Sequence, residues 1–417
     1  MFNNPVDNYY ISNTMPTETI ETIETNTIMS KPHIMLCHEC DYPVKLPLLA
    51  HKQAAVCPRC GFQLTVYHHN ASQRIIALAT TSLIFLVASF AFEFLSFSAS
   101  GQYQSIDMFG SLWILVENNY GLLAVVQGVA VVLLPAFVLV SLLYLLIPLS
   151  LGFHPAKAQW MIKTLFKLLP WTMAEIFLIG VLVSLIKIIS IADIGLGLSF
   201  YAYIFFTIFM TITLLYVDKF QLNQLLKNEV EETHTPINPV QSIQTTWALL
   251  FTSVLLYIPA NILPIMHTSV LGSDGSSTIL GGVILLWKMG SYPIAIVIFI
   301  ASVFVPVAKI IILCWLNYSV QAGQQHAHSE KIFWYRITEF VGRWSMIDVF
   351  VVAVLVSLIQ LGNIMNILPG HAALAFCGVV IFTMLAAMSF DSRLIWYKSE
   401  LVQKTLPEIL KGGKKPI

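Results

Sequence analysis

Charged residues are scarce in this chain, making up 11% of its 417 residues, whereas hydrophobic residues make up 57%. The mean hydropathy of +0.76 lies well above the balance that a soluble domain of this length shows. No stretch of basic residues interleaved with aromatic ones is present, so a nucleic-acid partner is not expected. The composition instead predicts an integral membrane protein whose solvent is the lipid bilayer.

The sequence also lacks the short motifs of common cofactor-dependent enzymes. It contains no G-x-x-x-x-G-K-[ST] phosphate loop, no Rossmann glycine pattern, no G-x-S-x-G and no H-E-x-x-H. ATP hydrolysis and nicotinamide or flavin chemistry are therefore not expected, and we predict that the chain is not an enzyme. A redox or quinone-linked enzyme is disfavoured as well, because no pair of histidines suited to bind haem lies within the predicted spans.

Eight apolar stretches are long enough to cross a membrane, since a tilted helix needs about 20 residues to do so. They lie near residues 75–98, 121–150, 171–190, 196–217, 246–266, 293–317, 344–362 and 370–390. With a cytoplasmic N-terminus, all of the 22 cationic residues except Lys187, Lys288 and Lys309 fall on the cytoplasmic side, as the positive-inside rule requires. Both termini are therefore expected in the cytoplasm. Residues 1–30 show no signal-peptide pattern, and their Thr-, Asn- and Glu-rich composition predicts a disordered tail.

An internal repeat divides the membrane-spanning part into two halves. Residues 171–186 (WTMAEIFLIGVLVSLI) and 344–359 (WSMIDVFVVAVLVSLI) agree at nine of sixteen positions and place Glu175 and Asp348 at matching points. We predict four-helix halves at 71–220 and 246–398, joined by a cytoplasmic linker at 221–245 and followed by a basic tail at 399–417. Because four spans are an even number, both halves enter the membrane in the same direction, and a pseudo-twofold axis along the membrane normal is expected.

Each half also holds an apolar segment that is too short to span the membrane, at 105–118 and 277–290. The simpler interpretation is that both segments are amphipathic covers over the extracytoplasmic mouth of the bundle. The alternative is a docking surface or gate for a partner or a lipid.

Four cysteines form the most specific motif, because Cys37, Cys40, Cys57 and Cys60 have the spacing C-x2-C-x16-C-x2-C. This spacing is typical of a four-cysteine zinc site, and the reducing cytoplasm keeps the thiols available. Four thiolates complete the coordination of Zn²⁺, so we predict one structural zinc ribbon at residues 31–70. Two disulfides or a redox C-x-x-C pair are the alternatives, and His38 is the first histidine to test as a competing ligand.

Polar residues also lie inside the predicted spans of the second half. Ser302 and Lys309 of the sixth span are seven residues apart and share a helix face, and Ser345 and Asp348 of the seventh share one at i and i+3. Ionisable residues are costly in a bilayer and mark functional sites, so Lys309 and Asp348 are expected to act together, with proton exchange as the chemistry. An ion pair that only fixes helix register is the alternative. The predicted network comprises Lys309, Asp348, Ser302, Ser345, Thr383 and Glu175.

Five motifs together cover residues from the ribbon to the last span. They are the C-x2-C…C-P-x-C ribbon, P-A-N-I-L-P-I at 259–265, V-P-V-A-K at 305–309, G-R-W-S-M-I-D at 342–348 and F-D-S-R-L-I-W at 390–396. In these motifs the chain resembles the paraquat-inducible protein A family over about residues 33–398, and within it the LetA (YebS-like) branch. The predicted fold is thus an all-α integral membrane protein with two tandem four-helix transmembrane halves and an N-terminal cytoplasmic zinc ribbon.

The resemblance implies a multi-pass protein of the bacterial inner (cytoplasmic) membrane. Such a protein loads or extracts phospholipid at the membrane end of a periplasmic tunnel, which an MCE-domain partner builds. By the same resemblance, the family's polar network falls on Ser302, Lys309, Ser345, Asp348 and Thr383. A passive anchor or assembly factor for the MCE partner is the alternative function.

The loop at 218–245 departs from the family pattern. Members of this type often carry a second four-cysteine ribbon before the second half, whereas this loop contains no cysteine. Only one Zn²⁺ is therefore expected, and any role that needs two ribbons is in doubt. The predicted transport residues lie elsewhere and are not touched by this difference.

Overall fold

The computed structural model describes most of the chain between the two predicted tails. The described residues are 34–46, 49, 52–68, 70–99, 102–118, 120–188, 193–226, 238–270, 273–288, 290, 292–323, 328–358 and 365–396. The predicted disordered tail at 1–30 and the basic tail at 399–417 lie outside these residues, as does the central part of the predicted linker. Those three predictions stay predictions.

A small domain of two hairpins precedes the first long helix. Its strands are β1 (Ile34–Leu36), β2 (Pro43–Lys45), β3 (Ala54–Val56) and β4 (Gln63–Val66). β1 pairs with β2 and β3 with β4, both antiparallel, and each hairpin carries one of the two C-x-x-C turns. This domain falls within the predicted 31–70 ribbon, and we refer to residues 34–68 as the ribbon.

Fifteen helices make up most of the remaining described chain, and they fall into two series. The first series is α1 (Ala71–Ala88), α2 (Met108–Glu117), α3 (Gly121–Gly128), α4 (Leu134–Ser150), α5 (Ala158–Leu168), α6 (Ala174–Ile188) and α7 (Leu198–Tyr216), and it is followed by the short α8 (Lys219–Leu225). The second series is α9 (Pro239–Ile262), α10 (Ile279–Lys288), α11 (Tyr292–Phe299), α12 (Val305–Gln321), α13 (His328–Trp344), α14 (Ile347–Leu358) and α15 (His371–Ser389).

Eight helices among the described residues are long and apolar enough to cross a membrane, which confirms the predicted number. They are Ala71–Ala88, Gly121–Ser150, Ala158–Ile186, Leu198–Tyr216, Pro239–Ile262, Ala295–Gln321, His328–Ser357 and His371–Ser389. The first ends ten residues earlier than expected, because the chain leaves the helix after Ala88 and continues into a strand. The third and seventh begin earlier than expected, because α5 and α13 lead into α6 and α14.

A π-helical segment interrupts the second long helix of each series. The segments are Val129–Leu133, between α3 and α4, and Ile300–Phe304, between α11 and α12. Each lies just before a proline, Pro135 or Pro306. Pro306 has no N–H to bond to the carbonyl of Ser302, as a regular α-helix would require. The wider π-helical turn accommodates the missing hydrogen bond of Pro306. In this turn the Val305 N–H bonds to the carbonyl of Ile300, five residues back.

Two three-stranded antiparallel sheets lie at the end of the bundle opposite the ribbon, and the sequence reading did not include them. The first contains β5 (Leu95–Ala99), β6 (Gln102–Ile106) and β7 (Asp193–Leu196), and the second contains β8 (Met266–Val270), β9 (Ser273–Ser277) and β10 (Met365–Pro369). In both sheets the strand that follows the first long helix is central, because it pairs with its hairpin partner and with the strand that leads into the last long helix. Each sheet thus ties the start and the end of its own series.

A glycine at the same point of each series permits this closure. A Cβ atom on Gly197 would lie 1.9 Å from the carbonyl oxygen of Glu93, and one on Gly370 would lie 1.9 Å from that of Pro264. The glycine amides bond to the carbonyls of Phe94 and Ile265, at 3.2 and 2.7 Å. Only a residue without a side chain allows these backbones to approach so closely.

The two series meet along α6 and α14. Gly180 of α6 faces Phe350 of α14, where an added Cβ would lie 3.1 Å from the Phe350 Cβ, and the rings of Phe177 and Phe350 pack edge to face at 5.7 Å. The Ser184 hydroxyl donates to the carbonyl of Val351 at 3.3 Å. Small residues and a short polar contact are typical of close helix packing in membranes. The observed order of elements repeats from one series to the next, while the predicted half boundaries at 71–220 and 246–398 stay an interpretation.

Candidate functional site

A lysine lies buried in the middle of the second series. Lys309, in the second turn of α12, is 2% exposed, and its Nζ donates a hydrogen bond to Thr383 Oγ1 of α15 at 2.9 Å. The Thr383 hydroxyl in turn donates to the carbonyl of Val380 at 3.0 Å. The sequence prediction placed both residues in one network, and the structure brings them into direct contact. A cation in such surroundings is costly, because three N–H donors must be satisfied away from water.

The two predicted serines lie on elements that adjoin this contact. Ser302 is buried in the π-helical segment that leads into α12, and Ser345 is buried in the turn between α13 and α14. The Ser345 hydroxyl bonds to the carbonyl of Val341 at 3.4 Å. Asp348 is the second residue of α14, a helix that packs against the π-helical segment of Ser302. The Asp348 side chain lies outside the described residues, so its pairing with Lys309 stays a prediction.

Gly342 of α13 is a further residue of this site that the sequence reasoning did not select. A Cβ atom at this position would lie 3.6 Å from Lys309 Nζ and 3.7 Å from Lys309 Cε. Gly342 therefore forms the wall of α13 that faces the ammonium group. The signal was available, because Gly342 opens the G-R-W-S-M-I-D motif. We refer to Ser302, Lys309, Gly342, Ser345 and Thr383 as the polar cluster.

The first series has the same backbone elements but an apolar centre. Counted along matching elements, Val131 stands where Ser302 does, Val138 where Lys309 does and Met210 where Thr383 does. All three are buried. The first series therefore has no cation at the position that Lys309 holds in the second series.

Glu175, also predicted for the network, belongs to a different place. It lies in the first turn of α6, at the position that Asp348 has in α14. α6 packs mainly against α7 and α14, whereas α12, with Lys309, packs mainly against α9, α13 and α15. The structure therefore places Glu175 in the other series and does not join it to the Lys309–Thr383 contact.

The four cysteines of the ribbon converge on one point. Cys37 Sγ lies 3.5 Å from Cys60 Sγ, Cys40 Sγ lies 3.6 Å from Cys57 Sγ, and all four sulfur atoms lie within 4.8 Å of one another. In a tetrahedral site with Zn–S bonds of about 2.3 Å, the sulfur atoms are about 3.8 Å apart. The sulfur atoms are thus spaced as a metal site requires, while His38 is exposed and is not part of the cluster. All six cysteines of the chain, each among the described residues, are free thiols, which disfavours the two-disulfide alternative.

Each pair of cysteines sits in a tight turn of the same construction. The Cys37 amide bonds to the carbonyl of Tyr42 at 3.0 Å, and the Cys57 amide bonds to that of Phe62 at 2.8 Å. The residue after each second cysteine has a positive φ, 57° at Asp41 and 70° at Gly61. This left-handed residue turns the chain back so that both sulfur atoms of a pair point to the same side.

The ribbon is docked on the helical bundle through contacts that the sequence did not reveal. The guanidinium of Arg336 in α13 forms an ion pair with the buried carboxylate of Glu39, which lies between the first two cysteines, and it also donates to the carbonyl of Cys60 at 3.0 Å. Arg59 stacks on the ring of Trp396, 4.4 Å from its centroid. On the other side, the Val66 amide donates to Asp218 Oδ2 at 3.2 Å, just before α8.

Comparison with known proteins supplies the family. The model of the family described as paraquat-inducible protein A matches residues 72–226 and again residues 243–400. The chain is 40% identical to the intermembrane transport protein PqiA of Escherichia coli (strain K12), over 87% of this chain and 95% of that protein. No solved structure matches it.

More distant relatives include the Haemophilus influenzae (strain ATCC 51907 / DSM 11121 / KW20 / Rd) probable intermembrane transport protein, which is 28% identical over 87% of this chain and 95% of the relative. The lipophilic envelope-spanning tunnel protein A of Escherichia coli (strain K12) is 26% identical over 91% of this chain and 95% of the relative. Identity is thus higher to PqiA than to this tunnel protein A, whose branch the motifs favoured. With two matches of the family model that span more than half its length, the chain belongs to the paraquat-inducible protein A family.

Proposed function

We propose that this protein is the inner-membrane component of an MCE-type lipid transport system, which loads or extracts phospholipid at the membrane end of a periplasmic MCE tunnel. The names of its relatives, which include intermembrane transport proteins and a lipophilic envelope-spanning tunnel protein, support a lipid transport role. Eight candidate spans and the family support a multi-pass membrane protein. The relatives are named as transport proteins, which fits a chain that is not an enzyme.

The observation that carries this proposal is the burial of Lys309 against Thr383. The first series builds the same elements around Val131, Val138 and Met210, so the architecture does not need a cation at its centre. A buried charge without a structural need is retained at a cost of several kcal/mol. A passive anchor gains nothing from a buried lysine that lowers its stability. A transporter whose conformation changes with protonation needs such an ionisable group.

In the mechanism that we propose, Lys309 and Asp348 form the working pair. A carboxylate beside an ammonium group in a low dielectric exchanges protons when its surroundings change. The π-helical segment at Ser302 provides a place where α12 can shift relative to α13, since π-bulges interrupt regular helices at functional sites. Protonation of Asp348 would release Lys309 from its partner and favour a different packing of α12, α13 and α15.

We further propose that the ribbon holds one Zn²⁺ through Cys37, Cys40, Cys57 and Cys60. Bound there, the ion would have no open coordination position, so it serves to fold the ribbon and not to react. A reducing compartment is required to keep four thiols free. The proposed orientation therefore places the ribbon and both termini in the cytoplasm, in agreement with the distribution of cationic residues.

The deciding experiment is a membrane-integrity complementation assay in a strain that lacks this protein and its relatives. Lys309→Met and Asp348→Asn variants are compared with wild type after their membrane levels and their binding to the MCE partner have been measured. We expect both variants to bind the partner and to fail in complementation. Val138→Met, which places the same side chain at the matching position of the first series without removing a charge, is expected to complement.

Full complementation by Lys309→Met and Asp348→Asn would contradict the transport mechanism and favour the alternative, a passive anchor or assembly factor. If the wild-type protein did not bind the MCE partner, the proposed association with a periplasmic MCE tunnel would be contradicted. Because levels, binding and complementation are measured separately, a folding defect is distinguished from a defect in transport.

A further inference from the structure

One corner of the first series, at the same end of the bundle as the ribbon, exposes large apolar side chains. It consists of the connection between α4 and α5 and the outer face of α5. Leu151 is 68% exposed, Phe153 is 70% exposed and Trp160 is 61% exposed. The opposite face of α5 is buried through Ile162 and Leu165, and α5 packs against α4 and α8. The exposed side chains are therefore held in place by a fixed helix.

Three exposed lysines lie on the same stretch of chain as these apolar side chains. Lys163 and Lys167 are one turn apart on α5, and Lys163 is three residues after Trp160, so the three share one face. Lys157 immediately precedes α5, and all three lysines are exposed. The loop that carries Lys157 is fixed by a hydrogen bond from the Tyr144 hydroxyl to the carbonyl of Ala156, at 3.1 Å. The corner thus presents three cations beside three apolar anchors.

Within the described residues, the positive charge of this corner has no acidic partner. Residues 118–174 contain no aspartate or glutamate, and within the described part of the chain the three lysines form no salt bridge. α5 packs against α8, which begins after Asp218. The Asp218 carboxylate already accepts hydrogen bonds from the amides of Val66 and Phe220.

The matching helix of the second series has a different character. α13 carries Glu330 next to Lys331 and Glu339 between Arg336 and Arg343, and its Arg336 is paired with Glu39 of the ribbon. The ribbon therefore uses the surface of the second series for docking. Among the described residues, the corresponding surface of the first series keeps its cations exposed.

We propose that this corner, formed by Leu151, Phe153, Lys157, Trp160, Lys163 and Lys167, binds the phosphate headgroups of anionic phospholipids in the leaflet on the ribbon side. Charge complementarity favours this occupant, because anionic lipid headgroups attract basic segments that lie at the membrane surface. Lysine side chains extend towards the headgroups while aromatic and aliphatic side chains enter the boundary of the acyl chains. The site is distinct from the polar cluster, and it would fix the first series relative to the membrane whether or not the protein transports lipid.

The test measures lipid binding and not transport. Full-length protein in detergent is titrated with phosphatidylglycerol and, separately, with phosphatidylcholine, and bound lipid is counted by native mass spectrometry. We expect wild type to prefer phosphatidylglycerol and the Lys157→Gln, Lys163→Gln, Lys167→Gln triple variant to bind it about 10- to 100-fold more weakly. The triple arginine variant at these positions is expected to retain binding. Lys45→Gln with Lys52→Gln, which removes two exposed charges of the ribbon, serves as the control and should bind as wild type does.

Several outcomes would overturn the proposal. Equal binding of both lipids by wild type would do so, as would unchanged phosphatidylglycerol binding by the triple glutamine variant. Should that variant unfold, the double variant Lys163→Gln with Lys167→Gln gives the same test at a smaller expected loss. Competition by glycerol phosphate as strong as that by the whole lipid would show that phosphate alone is recognised.

The acidic linker is the rival occupant, because it follows α8 in sequence. Replacement of Glu229, Glu231 and Glu232 by glutamine is expected to leave phosphatidylglycerol binding unchanged. A strong gain in binding would show that these residues cover the lysines, and it would contradict a lipid site.

Discussion

Arg336 of α13 is paired with Glu39, the residue that lies inside the first C-x-x-C turn of the ribbon. Two turns further along, the same helix presents Gly342 to the ammonium group of Lys309. The cysteine cluster and the polar cluster, which are far apart in sequence, are therefore connected through one helix.

Removal of Arg336 should loosen the ribbon. Arg336→Ala leaves the carboxylate of Glu39, which is 5% exposed, without its partner, and we expect a cost of about 1–3 kcal/mol. Limited proteolysis should then cut the ribbon faster, while the helical bundle stays protected. Adding Glu39→Gln should restore part of the protection, because no unpaired charge then remains buried. Arg393→Ala, whose partner Asp391 lies outside the ribbon, is the control, and equal sensitivity of both variants would contradict the docking.

The metal content should follow the four cysteines. Wild type is expected to contain one Zn²⁺ per chain by elemental analysis, and Cys57→Ser or Cys60→Ser should lower this value strongly, since a structural site needs four ligands. Cys314→Ser, which replaces a thiol within α12, should leave the content unchanged. Retention of Zn²⁺ by the Cys57→Ser variant would refute the assignment, and replacement of His38 would then be the next test.

At position 342, the one-carbon side chain of alanine should be tolerated, whereas the four-carbon side chain of leucine should not. Gly342→Ala places a Cβ at 3.6 Å from Lys309 Nζ, which is ordinary van der Waals contact, so complementation should remain. Gly342→Leu must displace the ammonium group or α13, and we expect a loss of complementation with a destabilisation of about 1–3 kcal/mol. Normal function of the leucine variant would mean that α13 has room to spare at this point.

The two closure glycines should be strictly required. In Gly197→Ala and Gly370→Ala the new Cβ would meet a carbonyl oxygen at 1.9 Å, so the backbone must shift. We expect each variant to lower the free energy of unfolding by at least about 1–3 kcal/mol, and therefore to lower the melting temperature. Gly282→Ala, in α10, meets nothing within 4 Å and is the matched control. If all three variants had the same melting temperature as wild type, the close approach of these backbones would be refuted.

The parts of the fold that follow from local chemistry could be predicted from the sequence. Eight spans were recognisable because hydropathy acts over about 20 consecutive residues. The cysteine cluster was recognisable because its spacing alone brings four sulfur atoms together. The strands were missed although L-S-F-S-A at 95–99 alternates apolar and polar residues, because this stretch continues an apolar run and was absorbed into the first span.

Contacts between distant residues could not be predicted in the same way. The pairing of Arg336 with Glu39 joins residues 297 positions apart and was not predicted. Lys309 and Thr383, 74 positions apart, were predicted to share one network, but their direct hydrogen bond was not. Each partner is one of several polar residues in its segment, and only the packing of the helices selects it. Likewise, the close approach at Gly342 depends on how α12 and α13 lie against each other.

The docked ribbon also has a mechanical consequence. It holds α13 of the second series through Arg336, and it holds the segment after α7 of the first series through Asp218. The two series are therefore pinned together at the end of the bundle where the ribbon lies. In any rearrangement that keeps these contacts, the two series rotate relative to each other about the ribbon end. The displacement is then largest at the opposite end, where the two three-stranded sheets lie.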